Sequence, residues 1–295
     1  MDCQTSQNRV HYILWMFMPV IICFAVQYAL SIMEIQAVVA YEVANYYGEG
    51  YTAFILNIYN DIASDAGMGV IYILYPVICI PIFIYIYFKE YRQKDKPFIK
   101  GVSGNIPCTI AGIIVFTIGA QYTCMYIMNS VATAFPSWLE EYEQIMEAAG
   151  ISDSMTVTMT VYSIILGPIV EELTFRVLTY KAASKLMPAH MAIIVQALLF
   201  GAYHMNMLQA IYAFALGLGL GYVMYKYDNV IITIIIHVAF NLLGTIGNNY
   251  LVYGGDTLIT YFLWMLGSLI VTYAGIKLLK KGMPGVKSGI NNADI

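Results

Sequence analysis

Residues 66–88 run for twenty-three positions without a charged side chain, and residues 105–130 run for twenty-six. A helix needs about 20 mostly apolar residues to cross about 30 Å of hydrocarbon. Runs of this kind are too long for the strands or helices of an ordinary soluble core, and they constrain the chain to a membrane. Eight stretches qualify as candidate helices: residues 11–33, 66–88, 105–130, 155–179, 189–206, 208–225, 229–247 and 257–276. Composition agrees, since 60% of the residues are apolar and only 11% are charged, against about a quarter charged in soluble domains. The expected fold is all-α: a polytopic transmembrane bundle of about eight helices. Residues 1–295 form a single integral membrane domain. The segments between 189 and 247 are short and closely connected, which predicts one compact group.

Lysine and arginine orient this bundle. Arg9 precedes the first helix. Lys89, Arg92, Lys94, Lys96 and Lys100 follow the second, Lys181 and Lys185 follow the fourth, and Lys226 lies between the sixth and seventh. Lys277, Lys280, Lys281 and Lys287 close the chain. With eight crossings these thirteen of the fourteen cations share one side, which the positive-inside rule makes cytoplasmic. Both termini are then cytoplasmic. The opposite loops carry Glu42, Glu49, Asp61, Asp65, Glu140, Glu141, Glu143, Glu147, Asp153 and Asp256, with no lysine or arginine. The fourteenth cation, Arg176, falls within the fourth helix.

The rest of the chain adds little chemistry. The first helix is expected to be retained, because no small-residue cleavage site follows it. Cys3, Cys23, Cys79, Cys108 and Cys124 are odd in number and scattered, which fits neither a disulfide framework nor a CxxC metal pattern. The basic stretch 89–100 should favour anionic lipid, and the Gly- and Asn-rich tail after Lys281 should be loose. Short surface helices are expected in 34–65 and 131–154. In the second, residues 137–150 place Trp138, Leu139, Tyr142, Ile145 and Met146 at helical spacing, as an interfacial amphipathic helix does. Ala213, Gly217 and Gly221 form a small-residue face for close helix packing. Gly217, Gly219 and Gly221 also read GxGxG, but inside an apolar helix this is no phosphate loop. No basic footprint for nucleic acid is present.

Polar groups in the apolar stretches are the informative ones, because a carboxylate at mid-membrane costs roughly 2.5–3.5 kcal/mol even on a lenient scale. Three clusters stand out. The first is Glu171-Glu172-Leu-Thr-Phe-Arg176. Glu172 and Arg176 are four apart and can pair. Adjacent carboxylates point about 100° apart on a helix, so the two are not expected to face the same partner, and Glu171 is left to face a cavity. The second cluster is Phe200-Gly-Ala-Tyr-His204. The third is His237-Val-Ala-Phe-Asn241, whose outer residues lie on one helix face and can both donate to one oxygen. Each has a plain structural reading: a buried ion pair, a packing histidine, or interhelical hydrogen bonds. Together, two Glu, two His and an Asn on neighbouring helices can activate a water and stabilise an oxyanion.

These motifs, EExxxR, FxxxH and HxxxN in order on successive helices, resemble the CPBP family, which includes the CAAX prenyl endopeptidases and the bacterial Abi proteins. The resemblance covers about residues 155–247, the expected catalytic helices. It implies an intramembrane endopeptidase with Glu171 as general base and His204 helping to bind and activate water. It also implies an oxyanion hole from His237 and Asn241, with Glu172, Arg176 and Phe200 in support. The implied substrates are membrane-associated peptides or lipidated proteins, prenylated CAAX-type or bacterial. The expected surroundings are membrane lipid, as a multi-pass protein of the cell membrane if bacterial. No cofactor is expected. The zinc-dependent alternative would place the metal on Glu171, His204 and His237. A non-enzymatic immunity or scaffold protein and an ion or proton transporter are the other classes that buried Glu and His allow. His204 falls near the far end of its helix, whereas Glu171 and His237 lie in the cytoplasmic halves of theirs. The three meet if that helix is shallow, with its first turns in the cytosol, or if the site lies near mid-depth.

Overall fold

The computed structural model describes residues 3–48, 50–62, 64–91, 104–148, 155–247, 251 and 254–283. The described residues are helical throughout, without strands. In order the helices are α1 (Cys3–Ala44), α2 (Tyr51–Ile62), α3 (Asp65–Glu90), α4 (Ile106–Ala134), α5 (Pro136–Ala148), a composite α6 over 157–183, α7 (Ala189–Tyr203), α8 (Met207–Tyr227), α9 (Val230–Thr245) and α10 (Leu258–Gly282). Five helical stretches, those carrying α1, α3, α4, α8 and α10, are long and apolar enough to cross a membrane. Arg92, Lys94, Lys96, Lys100, Lys287, Glu49 and Asp153, the stretch 92–100 and the tail from 284 lie outside the described residues.

Helix starts follow from short polar caps that accept the first free backbone N–H groups. Ser64 caps α3 through Gly67 N at 3.2 Å, Asn206 caps α8 through Gln209 N at 2.8 Å, and Asn229 caps α9 through Ile231 N at 3.0 Å. α7 ends in a turn where Met205 takes φ 59°, and α8 ends at Asp228 with φ 45°.

Two packing systems hold the bundle. α4 and α10 run antiparallel along a ladder of small residues. Gly282 meets Thr109, Gly112 meets Leu279, Gly275 meets Phe116, and Gly119 meets Thr272. Thr123 closes the ladder by a 3.1 Å hydrogen bond to Ser268. At every rung one partner is small, so the backbones approach closely. The second system joins α7 and α8 by the expected small-residue face. A Cβ on Gly217 would stand 3.1 Å from Ala197, and the Gln196 amide donates to Gly217 O at 2.8 Å.

Contacts also collect the helix ends that carry cations at one end of the bundle. His11 meets Glu90 at 2.9 Å, Asn105 N donates to Gly282 O at 3.2 Å, Lys181 pairs with Asp228 at 3.0 Å, and the Tyr227 hydroxyl donates to Leu279 O at 2.6 Å. Elsewhere, α5 half-buries Trp138, Leu139, Tyr142 and Met146 as its amphipathic pattern requires. Ile145 departs from that pattern and is exposed.

Candidate active site

The site grows from α6. This segment is not a uniform α-helix: π-helical turns occupy Tyr162–Leu166 and Glu172–Thr179, on either side of an α-helical Gly167–Glu171. A π turn closes i→i+5 and widens the helix, a distortion frequent at functional sites. The two adjacent carboxylates stand at the junction. Glu171 ends the α-helical turn and is 19% exposed, whereas Glu172 opens the π turn and is fully buried.

His237 of α9 inserts between them. Its Nδ1 lies 2.8 Å from Glu172 Oε1, and its Nε2 lies 3.5 Å from Glu171 Oε2. The expectation that the carboxylates would not share a partner is therefore corrected. An imidazole offers two nitrogens on opposite edges, so one ring can meet two diverging side chains. Glu172 Oε1 also meets Arg176 Nη1 at 3.1 Å, with both side chains fully buried. The contact lies off the donor axis, and the guanidinium nitrogens and Glu172 Oε2 have no aligned hydrogen-bond partner among the described residues. Arg176 instead lays its guanidinium over the Phe200 ring, 4.4 Å from the centroid.

Phe200 organises the α7 side. Its ring meets Phe175 at 5.1 Å, His204 at 5.0 Å and His237 at 5.7 Å between centroids, all edge-on. His204 caps α7, and its Nδ1 lies 2.8 Å from Phe200 O. A carbonyl only accepts, so Nδ1 carries a proton and a neutral His204 presents Nε2 as an acceptor.

Asn241 lies one turn beyond His237 and donates from Nδ2 to Ser163 O at 2.8 Å. This bond ties α9 to the first π turn of α6 and engages one of the two amide hydrogens. Tyr162 of α6 and Tyr203 of α7 are joined through Tyr75 of α3, whose ring meets Tyr162 at 6.4 Å and whose hydroxyl lies 2.9 Å from that of Tyr203. None of these tyrosines, nor Ser163, was marked by the sequence motifs.

α7 has 15 residues and α9 has 16, about 22 and 24 Å at 1.5 Å per residue. α7 follows α6 after a five-residue turn, and its Ala192 packs with Tyr180, Ala182 and Ala183 at the end of α6. Its start therefore lies level with the end of α6. The far end of α7 brings His204 to the Phe200 ring that also meets His237.

Two carboxylates facing Arg176 and an imidazole that can carry a proton make a set of four groups whose charges can sum to zero. The cluster can therefore be buried without an uncompensated ion, with Glu171 at its partly exposed edge. The three zinc-ligand candidates do not form a ligand set in this arrangement. His237 has both ring nitrogens turned to the glutamates, and no three His, Cys, Asp or Glu side chains among the described residues converge at metal spacing.

Residues 153–243 match the family model described as Type II CAAX prenyl endopeptidase Rce1-like. No curated protein and no solved structure matches the chain. The matched stretch contains all three polar motifs and the helices that bring them together, and over it the chain is similar to the Rce1-like type II CAAX prenyl endopeptidases.

Proposed function

We propose that the chain is an intramembrane endopeptidase that hydrolyses a peptide bond in a membrane-associated peptide by a Glu/His-activated water. The observation that carries this reading is His237 held between Glu171 and Glu172, with His204 and Phe200 closing the same cluster. In the starting state Glu171 is a carboxylate and His237 is protonated on both nitrogens. Water is held between Glu171 and His204 Nε2. Glu171 takes a proton from it as the oxygen attacks the scissile carbonyl carbon. The developing oxyanion is met by His237 Nε2–H and by the second hydrogen of the Asn241 amide, donors of the kind that dominate acyl-transfer catalysis. As the tetrahedral intermediate collapses, the C–N bond breaks and Glu171 delivers its proton to the leaving amine.

Within this reading the chain crosses the membrane eight times with both termini cytoplasmic, and it acts without a metal. Its substrates are prenylated CAAX-type peptides or unprenylated peptides matured or exported by bacteria. The Asn241 bond to Ser163 O favours a second reading, in which the polar motifs only brace the helices of a scaffold or immunity protein.

Purified protein in lipid nanodiscs, mixed with prenylated and unprenylated peptides, separates the two by mass spectrometry of the products. Cleavage by the parent that disappears in Glu171→Gln, His204→Ala and His237→Ala supports the peptidase. Equal cleavage by parent and variants overturns it. Loss of parent activity with a strong zinc chelator, restored by zinc, would replace the metal-free mechanism by the zinc-dependent one.

A further inference from the structure

His204 caps α7, where the chain turns away at Met205 with φ 59°. Helix ends fray unless something ties them down. The bond from His204 Nδ1 to Phe200 O lies within its own helix region and cannot fix that end against the rest of the bundle. The neighbouring side chain can. The Tyr203 hydroxyl lies 2.9 Å from the Tyr75 hydroxyl of α3 and accepts from Gln27 Nε2 of α1 at 3.3 Å. Its ring meets Phe24 of α1 at 5.2 Å, Phe175 of α6 at 5.5 Å and His204 itself at 6.0 Å. Tyr75, the anchor, is only 2% exposed. One side chain beside His204 thus ties the α7 end to three other helices.

We infer that Tyr203 is a positioning residue: its hydroxyl bridge to Tyr75 and Gln27 sets where His204 stands relative to Glu171. The inference rests on the peptidase reading for its kinetic consequence. The hydroxyl is turned toward α1 and α3, not toward the α9 groups proposed to meet the substrate. Its loss therefore acts on the chemical step and not on substrate binding. Small misplacements of a reacting group cost up to about a hundredfold in rate, and loss of one of several ties should cost about tenfold.

The test uses Tyr203→Phe, Tyr75→Phe and the double variant of the full chain in nanodiscs. The expected result is kcat lowered about tenfold in each single variant with KM unchanged. The double should be no worse than Tyr203→Phe, because that variant already removes the bond that Tyr75→Phe breaks. Amide hydrogen exchange over residues 200–206 should quicken in both single variants and stay at the parent rate in Glu171→Gln. Should Tyr203→Phe fail to fold, Gln27→Leu removes the other bond and carries the same prediction with a smaller loss. Unchanged kcat, a raised KM at constant kcat, or losses that multiply in the double would each overturn the inference, as would unchanged exchange. If the parent cleaves no peptide, the peptidase reading fails, and the exchange measurement still decides whether the bridge holds the helix end.

Discussion

Replacing Arg176 with methionine should destabilise the protein far more than a single residue change usually does. The substitution keeps an apolar stem of similar length over Phe200 and removes the charge. Glu172 is then a fully buried carboxylate that keeps His237, 2.8 Å away, as its ionisable partner among the described residues. Breaking a buried pair costs about 3–5 kcal/mol. His237 on the same oxygen holds the effect to the lower end. Loss of the guanidinium–Phe200 contact adds about 1 kcal/mol. Removing buried guanidinium nitrogens that lack aligned partners returns about as much. The net loss is about 3 kcal/mol, or about 6–12 °C at 2–4 °C per kcal/mol. Cys23, Cys79 and Cys124 are buried, so a thiol-reactive fluorogenic dye reports unfolding in detergent directly. Glu172→Gln combined with Arg176→Met removes both charges and should recover all but about 1 kcal/mol. A single variant that melts with the parent, or a double that melts below the single, would refute the reasoning.

The α4–α10 ladder predicts that Gly275→Leu and Gly119→Leu each cost about 3 kcal/mol or prevent folding, because the added side chains run into the backbones at Phe116 and Thr272. Gly267→Leu, in open space on the same α10, should leave the size-exclusion profile and melting unchanged. Burial pushes the Tyr142 hydroxyl of α5 above the usual tyrosine range. The folded state then holds that proton more tightly than the unfolded chain. Its stabilising contribution is present below the ordinary value of about 10 and is lost as pH rises past it. Trp138 fluorescence should report α5 loosening in that alkaline window, and Tyr142→Phe should flatten the dependence.

Much of the architecture was readable because lipid leaves few options for a backbone. Helices cover each of the apolar runs, α2 and α5 fill the two connections where surface helices were expected, and Gly217 and Gly221 pack α8 on α7. The α4–α10 ladder escaped notice because its small residues are seven apart on each helix, Gly112 with Gly119 and Gly275 with Gly282, and are mixed with threonine and serine. The π turns of α6 are invisible to a 3.6-residue periodicity. They matter most for the site, since the expectation for Glu171 and Glu172 rested on a regular helix and a one-sided partner. The motif residues were legible as polar groups in the wrong solvent. Tyr203, Tyr75 and Gln27 were not, because tyrosine and glutamine in membrane helices raise no such alarm and their bonds cross between helices far apart in sequence.

The central claim is that Glu171 and His237 act as one unit on one water. The most direct measurement is kcat for Glu171→Gln, His237→Ala and the double variant on one cleaved peptide, each confirmed to be folded by melting. The account predicts that each single variant loses about a thousandfold, within the range for acid–base groups, and that the double loses no more than the worse single. Single variants that keep parent activity, or losses that multiply in the double, would contradict it.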